Sequence, residues 1–147
     1  MRVSALVLMC CVSASALTVR EAREKVVDGT MRYLNVPYLW GSEHPKVGLD
    51  CSAFVRRVYA DAGLALPRVS RDQFKTAVAV RPDAVLPGDI IFFSMSAPGS
   101  SRVDHVGIYV GKGWFVHAGV SHGVHIEPIA KAYYQDRLVR VLKYPGF

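Results

Sequence analysis

Cysteine is scarce in this chain: three occur in 147 residues, and two of them, Cys10 and Cys11, stand in the apolar stretch at the very start. That excludes a small disulfide-built scaffold, and a chain of ~150 residues has no need of one, since it can bury roughly 68–70% of the surface it exposes when unfolded. Acidic residues are also in the minority, 12 Asp and Glu against 18 Lys and Arg, for a formal net charge of +6. There is no internal repeat, no low-complexity segment and no Gly-rich phosphate loop, which excludes solenoids, fibrous proteins and phosphate-loop nucleotide binding. With 51% hydrophobic and 20% charged residues the chain is not disordered. The one long apolar run lies at the N-terminus and is too short, and wrongly flanked, for a membrane-spanning helix.

That run has the three parts of a secretory signal. Arg2 supplies a positive start, Val3 to Val12 an apolar stretch, and Ala14-Ser15-Ala16 a small-residue cleavage site. Residues 1–16 are therefore expected to be a signal peptide and residues 17–147 a single exported domain, periplasmic or secreted, with no transmembrane segment. Lipoprotein anchoring at Cys10 or Cys11 fits less well, because bulky Met9 stands where a small residue is expected. Loss of the signal leaves Cys51 alone. A lone thiol in an exported protein is buried and inert, bridges to another chain, or is reactive. The basic surface favours polyanions in general, but export argues against nucleic acid, and the charges (Arg20, Arg23, Lys25, Arg56, Arg57, Arg137, Arg140) are scattered rather than clustered.

Periodicity divides the mature chain in two. Thr18 and Glu21 form a capping box, and Val19, Ala22, Val26, Val27 and Leu34 follow at helical spacing, predicting a helix over 19–34. A loop over 41–49 leads to Asp50, the N-cap of a second helix with Phe54, Val55, Val58, Tyr59 and Ala62 on its apolar face and Gly63 after its end. A short third helix is expected over 70–79. Beyond Val85 the pattern turns to strands: Ile90 to Phe93, Val103 to Val110, Trp114 to Ala118, Val120 to Pro128 and Leu138 to Lys143. Helices first and an antiparallel sheet after make an α+β fold of two layers. Phe92, Phe93, Trp114 and Phe115 read as core, and His44 as a solvated loop residue.

The chemistry centres on Cys51. Sulfur attacks as thiolate, and a free thiol with a pKa of about 8.5 holds little of it at neutral pH. The first turn of a helix offers unpaired N–H groups and a favourable dipole, which would lower that pKa and could hold an oxyanion. Taken alone, a cysteine ahead of an apolar helix face is ordinary core. A nucleophile also needs a base. His105 and His117 lie on the two strands of the expected hairpin. They share one face if Gly111-Lys112-Gly113 is a three-residue loop or if a bulge compensates, and they fall on opposite faces otherwise. Gly107 and Gly119 beside them would leave room for a helix end or a substrate. Asp104 points to the other face and is not assigned to orienting the base. His122 and His125 with His117 match no standard zinc spacing, and no metal or other cofactor is expected.

Three segments carry a family likeness: Tyr38-Leu39-Trp40-Gly41 with Asp50-Cys51-Ser52-Ala53-Phe54-Val55; Leu86 to Phe93; and His105-Val106-Gly107-Ile108-Tyr109-Val110-Gly111 with Phe115-Val116-His117-Ala118. Together they resemble the NlpC-type family of peptidoglycan cysteine endopeptidases, within the papain-like fold group. The resemblance implies N-terminal helices packed on a central antiparallel β-sheet, with residues 17–147 as one NlpC-type catalytic domain. It implies Cys51 as nucleophile, His105 as base and His117 as the third polar residue. It also implies Tyr38, Asp50 and Ser52 as substrate-binding residues, and peptidoglycan stem peptides as partner, cleaved between γ-D-glutamate and an L-diamino acid through a Cys thioester. Departures are Ser42 and Ala53, where the family often has Gly, and Asp104, where it often has Ser. The other readings open at this point are a catalytically silent wall-binding module on the same fold and a related thiol amidase or acyltransferase.

Overall fold

The structure, a computed structural model, describes residues 17–147; the expected signal peptide, with Cys10 and Cys11, lies outside the described residues. Helix α1 spans Val19–Met31 and opens on the capping box read from the sequence: the Thr18 side chain accepts from the Glu21 N–H and the Glu21 carboxylate from the Thr18 N–H. Two short strands follow, β1 (Glu43–His44) and β2 (Gly48–Leu49), and they lead directly into α2 (Cys51–Asp61). Helix α3 (Ser70–Thr76) and strand β3 (Val78–Ala79) come next. Then come β4 (Ile90–Phe93), β5 (His105–Gly111), β6 (Trp114–Gly119), β7 (Gly123–Pro128), the single-turn α4 (Ala132–Gln135) and β8 (Leu138–Lys143). The main sheet has six strands in the order β3-β8-β4-β5-β6-β7, each pairing antiparallel to its neighbour.

The period-2 alternation of the strands sorts side chains onto two faces. One face is covered by α2: Ile90, Phe92, Val106, Ile108, Val116, Ala118 and Val124 form a single core with Phe54, Val55, Val58 and Tyr59 of the helix. Each large side chain buried there contributes on the order of 1.5–3 kcal/mol by leaving water. The other face carries a smaller cluster of Ile91, Phe93, Phe115 and Tyr134. That all four residues of β4 are fully buried explains why this strand reads as an unbroken apolar run.

Several boundaries move relative to the sequence reading, each for a local reason. Helix α1 stops at Met31, three residues before Leu34. Asn35 takes a φ of 68° and bonds through its N–H to the Val124 carbonyl, so the chain leaves the helix to reach the sheet. Helix α3 ends at Thr76, because Val78 and Ala79 pair with Lys143 and Leu142 as an edge strand. Strand β7 starts at Gly123, not Val120. The 41–49 loop contains the β1–β2 ladder, with His44 exposed within it. Trp114 is not core: it is 43% exposed at the hairpin end.

Residues 32–38 form a strap that ends on Tyr38. Asn35 and Val36 tie it to β7, and a Tyr38–Leu49 bridge ties it to β2. Gly123 is where strap and sheet come closest. Its φ is +66°, and a Cβ placed on it would come 2.2 Å from the Val36 carbonyl oxygen. Gly123→Ala is expected to destabilise the protein by about 2–3 kcal/mol through this overlap and the left-handed backbone. Urea unfolding measures it, and a change under about 0.5 kcal/mol, the size of an ordinary surface substitution, would contradict the account.

Candidate active site

Cys51 is the first residue of α2, placed there by its neighbour. Asp50 is the N-cap, its carboxylate accepting the Ala53 N–H at 2.8 Å. The thiol is free and only 7% exposed. The backbone N–H groups of Val106, of Ser52 and of Cys51 itself lie near its sulfur and favour the thiolate. The contact with Val106 follows from the sheet. The β5–β6 ladder covers Gly111↔Trp114, Tyr109↔Phe115 and Ile108↔Val116. Past that last pair the ladder ends, and the N–H of Val106, one residue after His105, is left near the sulfur.

The two histidines share a face, by the second of the two routes the sequence allowed. The hairpin turn is Lys112-Gly113, a two-residue turn with φ of 53° and 80°, and a register shift between Tyr109 and Gly111 restores the alignment. The bulge inserts one extra residue, Val110, so His105 and His117 point the same way. Nε2 of His105 and Nδ1 of His117 are 2.8 Å apart. Both rings are buried, at 8% and 2% exposure. His105 thus commits its outer nitrogen to His117, which leaves Nδ1, the ring nitrogen nearer the backbone, outside this bond. The space beside Gly107 and Gly119 is not open to a helix or a substrate. A Cβ on Gly107 would stand 2.8 Å from the Val116 carbonyl oxygen, and one on Gly119 would stand 2.8 Å from Cε1 of His125. The glycines make room for the imidazoles and for the strand beside them.

The charge state of the pair differs from the sequence expectation. Burial pushes the Cys51 thiol up to about 11, and the Asp50 carboxylate adds to the rise; the three N–H groups oppose this without overcoming it. A helix start by itself lowers a thiol pKa, but here it lies under the chain with an ionised N-cap beside the sulfur. Burial likewise brings His105 down to about 4, against a small upward pull from Asp104. His117 falls to about 2 through burial and the neighbouring imidazoles. Burial thus acts on both groups in the same sense, against the thiolate and against the imidazolium.

Tyr38 lies near both Cys51 and Asp50, and the Ser52 hydroxyl donates to the Asp50 carboxylate. Tyr38 is half-buried, and its phenol pKa is raised by burial and by the nearby Cys51 and Asp50. The Asp50 carboxylate is fully engaged. Oδ1 accepts from the Ala53 N–H, the Ser52 hydroxyl and Nη1 of Arg68; Oδ2 accepts from the Gly41 N–H and Nη2 of Arg68. Burial alone would raise its pKa, yet the Arg68 guanidinium and these N–H groups hold it below the usual carboxylate range. Arg68 also donates to the Ser52 hydroxyl and pairs with Glu43. Asp104 ties down the loop after β4 by accepting from the Met95 and Ser96 N–H groups and the Ser96 hydroxyl, so it buttresses the His105 strand without orienting the ring.

Three contributors were not found from the sequence. Arg68 lies 18 positions from its carboxylate partner, and no local pattern announces the pair. Gln73, fully buried, donates to the Ser52 and Pro67 carbonyls and so links the helix start to the segment bearing Arg68. Tyr134 brings its hydroxyl to 3.2 Å from Nε2 of His117. The lone signal for any of them was the N-cap Asp50, a buried carboxylate that needed a cation.

A thiol at a helix start, on a helix packed against an antiparallel sheet that carries an imidazole pair, is the arrangement of the papain-like fold class. The chain belongs to the NlpC/P60 family, whose pattern it matches over residues 35–143. The bifunctional muramidase/DL-endopeptidase CwlT of Bacillus subtilis is 34% identical over 116 residues, which are 79% of this chain and 35% of that protein. The gamma-DL-glutamyl hydrolase of Bacillus subtilis is 32% identical over 120 residues, 81% of this chain and 29% of that one. Among solved structures, a lipoprotein-like NLP/P60 family protein from Staphylococcus aureus superposes with a TM-score of 0.75 at 30% identity, covering 89% of this chain and 44% of the other. The chain thus spans about a third of the length of these two curated relatives.

A thiol held neutral reacts in proportion to its thiolate fraction. Alkylation of Cys51 by iodoacetamide is expected to be slow at pH 7 and to rise about tenfold per pH unit toward its pKa near 11. A flat, fast rate across pH 5–8, the mark of a standing thiolate–imidazolium pair, would contradict the assignment.

Proposed function

We propose that this domain is a cysteine endopeptidase of the cell wall. It would hydrolyse an amide bond in peptidoglycan stem peptides, that between γ-D-glutamate and an L-diamino acid, through a thioester on Cys51. The observation that carries the reading is the Cys51 thiol at the start of α2, near the N–H of Val106, one residue after a His105 whose far nitrogen meets Nδ1 of His117 at 2.8 Å. The named activities of the two Bacillus subtilis relatives, DL-endopeptidase and gamma-DL-glutamyl hydrolase, support the bond. The pattern of residues 1–16 supports export to the periplasm or beyond the cell.

The geometry suggests the order of events. The scissile carbonyl enters over the start of α2, and Nδ1 of His105 takes the thiol proton as the sulfur attacks. Proton transfer and attack are thus coupled, since neither ion is favoured at rest. Negative charge then develops on the carbonyl oxygen, where the Cys51 and Ser52 N–H groups and the Tyr38 hydroxyl are available to receive it. The His105 imidazolium, its Nε2–H held by His117, gives its proton to the leaving amine. It next removes one from the water that opens the thioester. Such positioned acid–base help is worth about 10²–10⁴-fold. On the substrate side, Tyr38 and the Asp50–Ser52–Arg68 cluster would meet the N-terminal portion of the stem peptide. Because Arg68 already neutralises Asp50, a substrate ammonium at this point must share that carboxylate with the guanidinium.

Incubation of the purified domain with muropeptides, read by product mass, tests the proposal. The expected product carries a new free amine on the diamino acid. Cys51→Ala should abolish its formation, and His105→Ala should slow it by at least about 10²-fold. Unchanged muropeptides, full cleavage by Cys51→Ala, or a transferred acyl group in place of hydrolysis would each overturn it.

A further inference from the structure

His117 has two ring nitrogens and, when neutral, one proton. Nδ1 faces His105 at 2.8 Å and Nε2 faces the Tyr134 hydroxyl at 3.2 Å. The three groups form one chain, and the direction of its hydrogen bonds decides what His105 can do. If His117 carries its proton on Nε2, Nδ1 is an acceptor. His105 then donates from its own Nε2, and the lone pair on Nδ1 of His105 is free to take the Cys51 proton. If His117 carries its proton on Nδ1, every bond reverses, His105 is protonated on Nδ1, and it presents a donor where a base is required.

We propose that Tyr134 is a positioning residue whose oxygen accepts the Nε2–H of His117 and thereby keeps His105 in the tautomer that serves as base. His117 is 2% exposed, so an Nε2–H without this acceptor would be left away from water. The neighbouring acceptor groups are already engaged: Glu127 pairs with Lys131 and faces His125, and the His125 Nδ1–H donates to the Gly123 carbonyl. Tyr134 remains a neutral phenol, its pKa pushed up to about 12 by burial and by Glu127 and Tyr133. The other groups that titrate or carry charge around His117 and His105 are His125, Lys131 and Asp104, and none of them bonds to Nε2 of His117.

The ring of Tyr134 is held independently of its hydroxyl. It packs edge-on to Phe115 at 4.9 Å between centroids and beside Phe93 at 5.7 Å. The turn that bears it is fastened by Arg137, which donates to the Tyr133 carbonyl at 3.0 Å and stacks its guanidinium on the Tyr133 ring. Tyr134→Phe therefore removes one oxygen and leaves the packing in place. The kinetic consequence rests on the reading of this chain as a cysteine endopeptidase; the tautomer does not.

Nitrogen-15 NMR of the histidine rings near neutral pH, on wild type and Tyr134→Phe, tests the proposal, with muropeptide kinetics of both beside it. Wild-type His117 is expected as the Nε2–H tautomer, and Tyr134→Phe should move it toward Nδ1–H. The variant's kcat should fall about tenfold or more with KM within about twofold, as for the loss of one buried hydrogen bond. Wild-type His117 in the Nδ1–H form overturns the proposal, even if the variant fails to fold. An unchanged tautomer in the variant, or a loss confined to KM, overturns it as well. If wild type cleaves no muropeptide, the endopeptidase reading fails and the ring spectra still decide the role of Tyr134.

Discussion

The hydrogen bond between Nε2 of His105 and Nδ1 of His117 is the contact on which the arrangement turns, because it occupies one nitrogen of His105 and leaves Nδ1 as the other. Much of the sheet is organised around making it. A two-residue turn would by itself put the two histidines on opposite faces; the extra residue at Val110 brings them back to the same one. Gly107 and Gly119 carry no side chain where the rings and the neighbouring strand must pass. The β5–β6 ladder ends beyond Ile108 and Val116, which leaves an N–H of the strand that carries His105 near the sulfur of Cys51.

Burial shapes the energetics of this site more than charge does. The sulfur and both imidazoles lie under the surface, and desolvation is the largest influence on each, holding all three neutral. Asp50 adds negative charge next to the sulfur but is itself neutralised by Arg68, so the cluster beside the thiol is an ion pair rather than a free carboxylate. A neutral resting pair avoids the cost of keeping a buried ion pair between turnovers.

The parts of the fold governed by local rules were legible in the sequence. The Thr18–Glu21 box, the Asp50 cap and the four-residue apolar strand Ile90–Phe93 all fall where their spacing put them. The shared face of His105 and His117 could be stated only as a condition, since loop length and bulge compete and composition does not choose between them. Nonlocal pairings were out of reach. Arg68 and Tyr134 come to the site from segments whose own patterns say only loop and short turn, and Asn35 ends α1 early because of a partner in β7. The charge state of the thiol was hidden for the same reason: counting N–H groups at a helix start omits what covers them.

The central claim is that Nδ1 of His105 faces a carbonyl held over the first turn of α2. A crystal structure of Cys51→Ala with an intact stem peptide in place tests it most directly. The account predicts the scissile oxygen on the Cys51 and Ser52 N–H groups and Nδ1 of His105 turned toward the reacting carbon, at the ~3–3.5 Å of a near-attack geometry. A peptide seated elsewhere, or a His105 ring whose Nδ1 points away from it, would contradict the account.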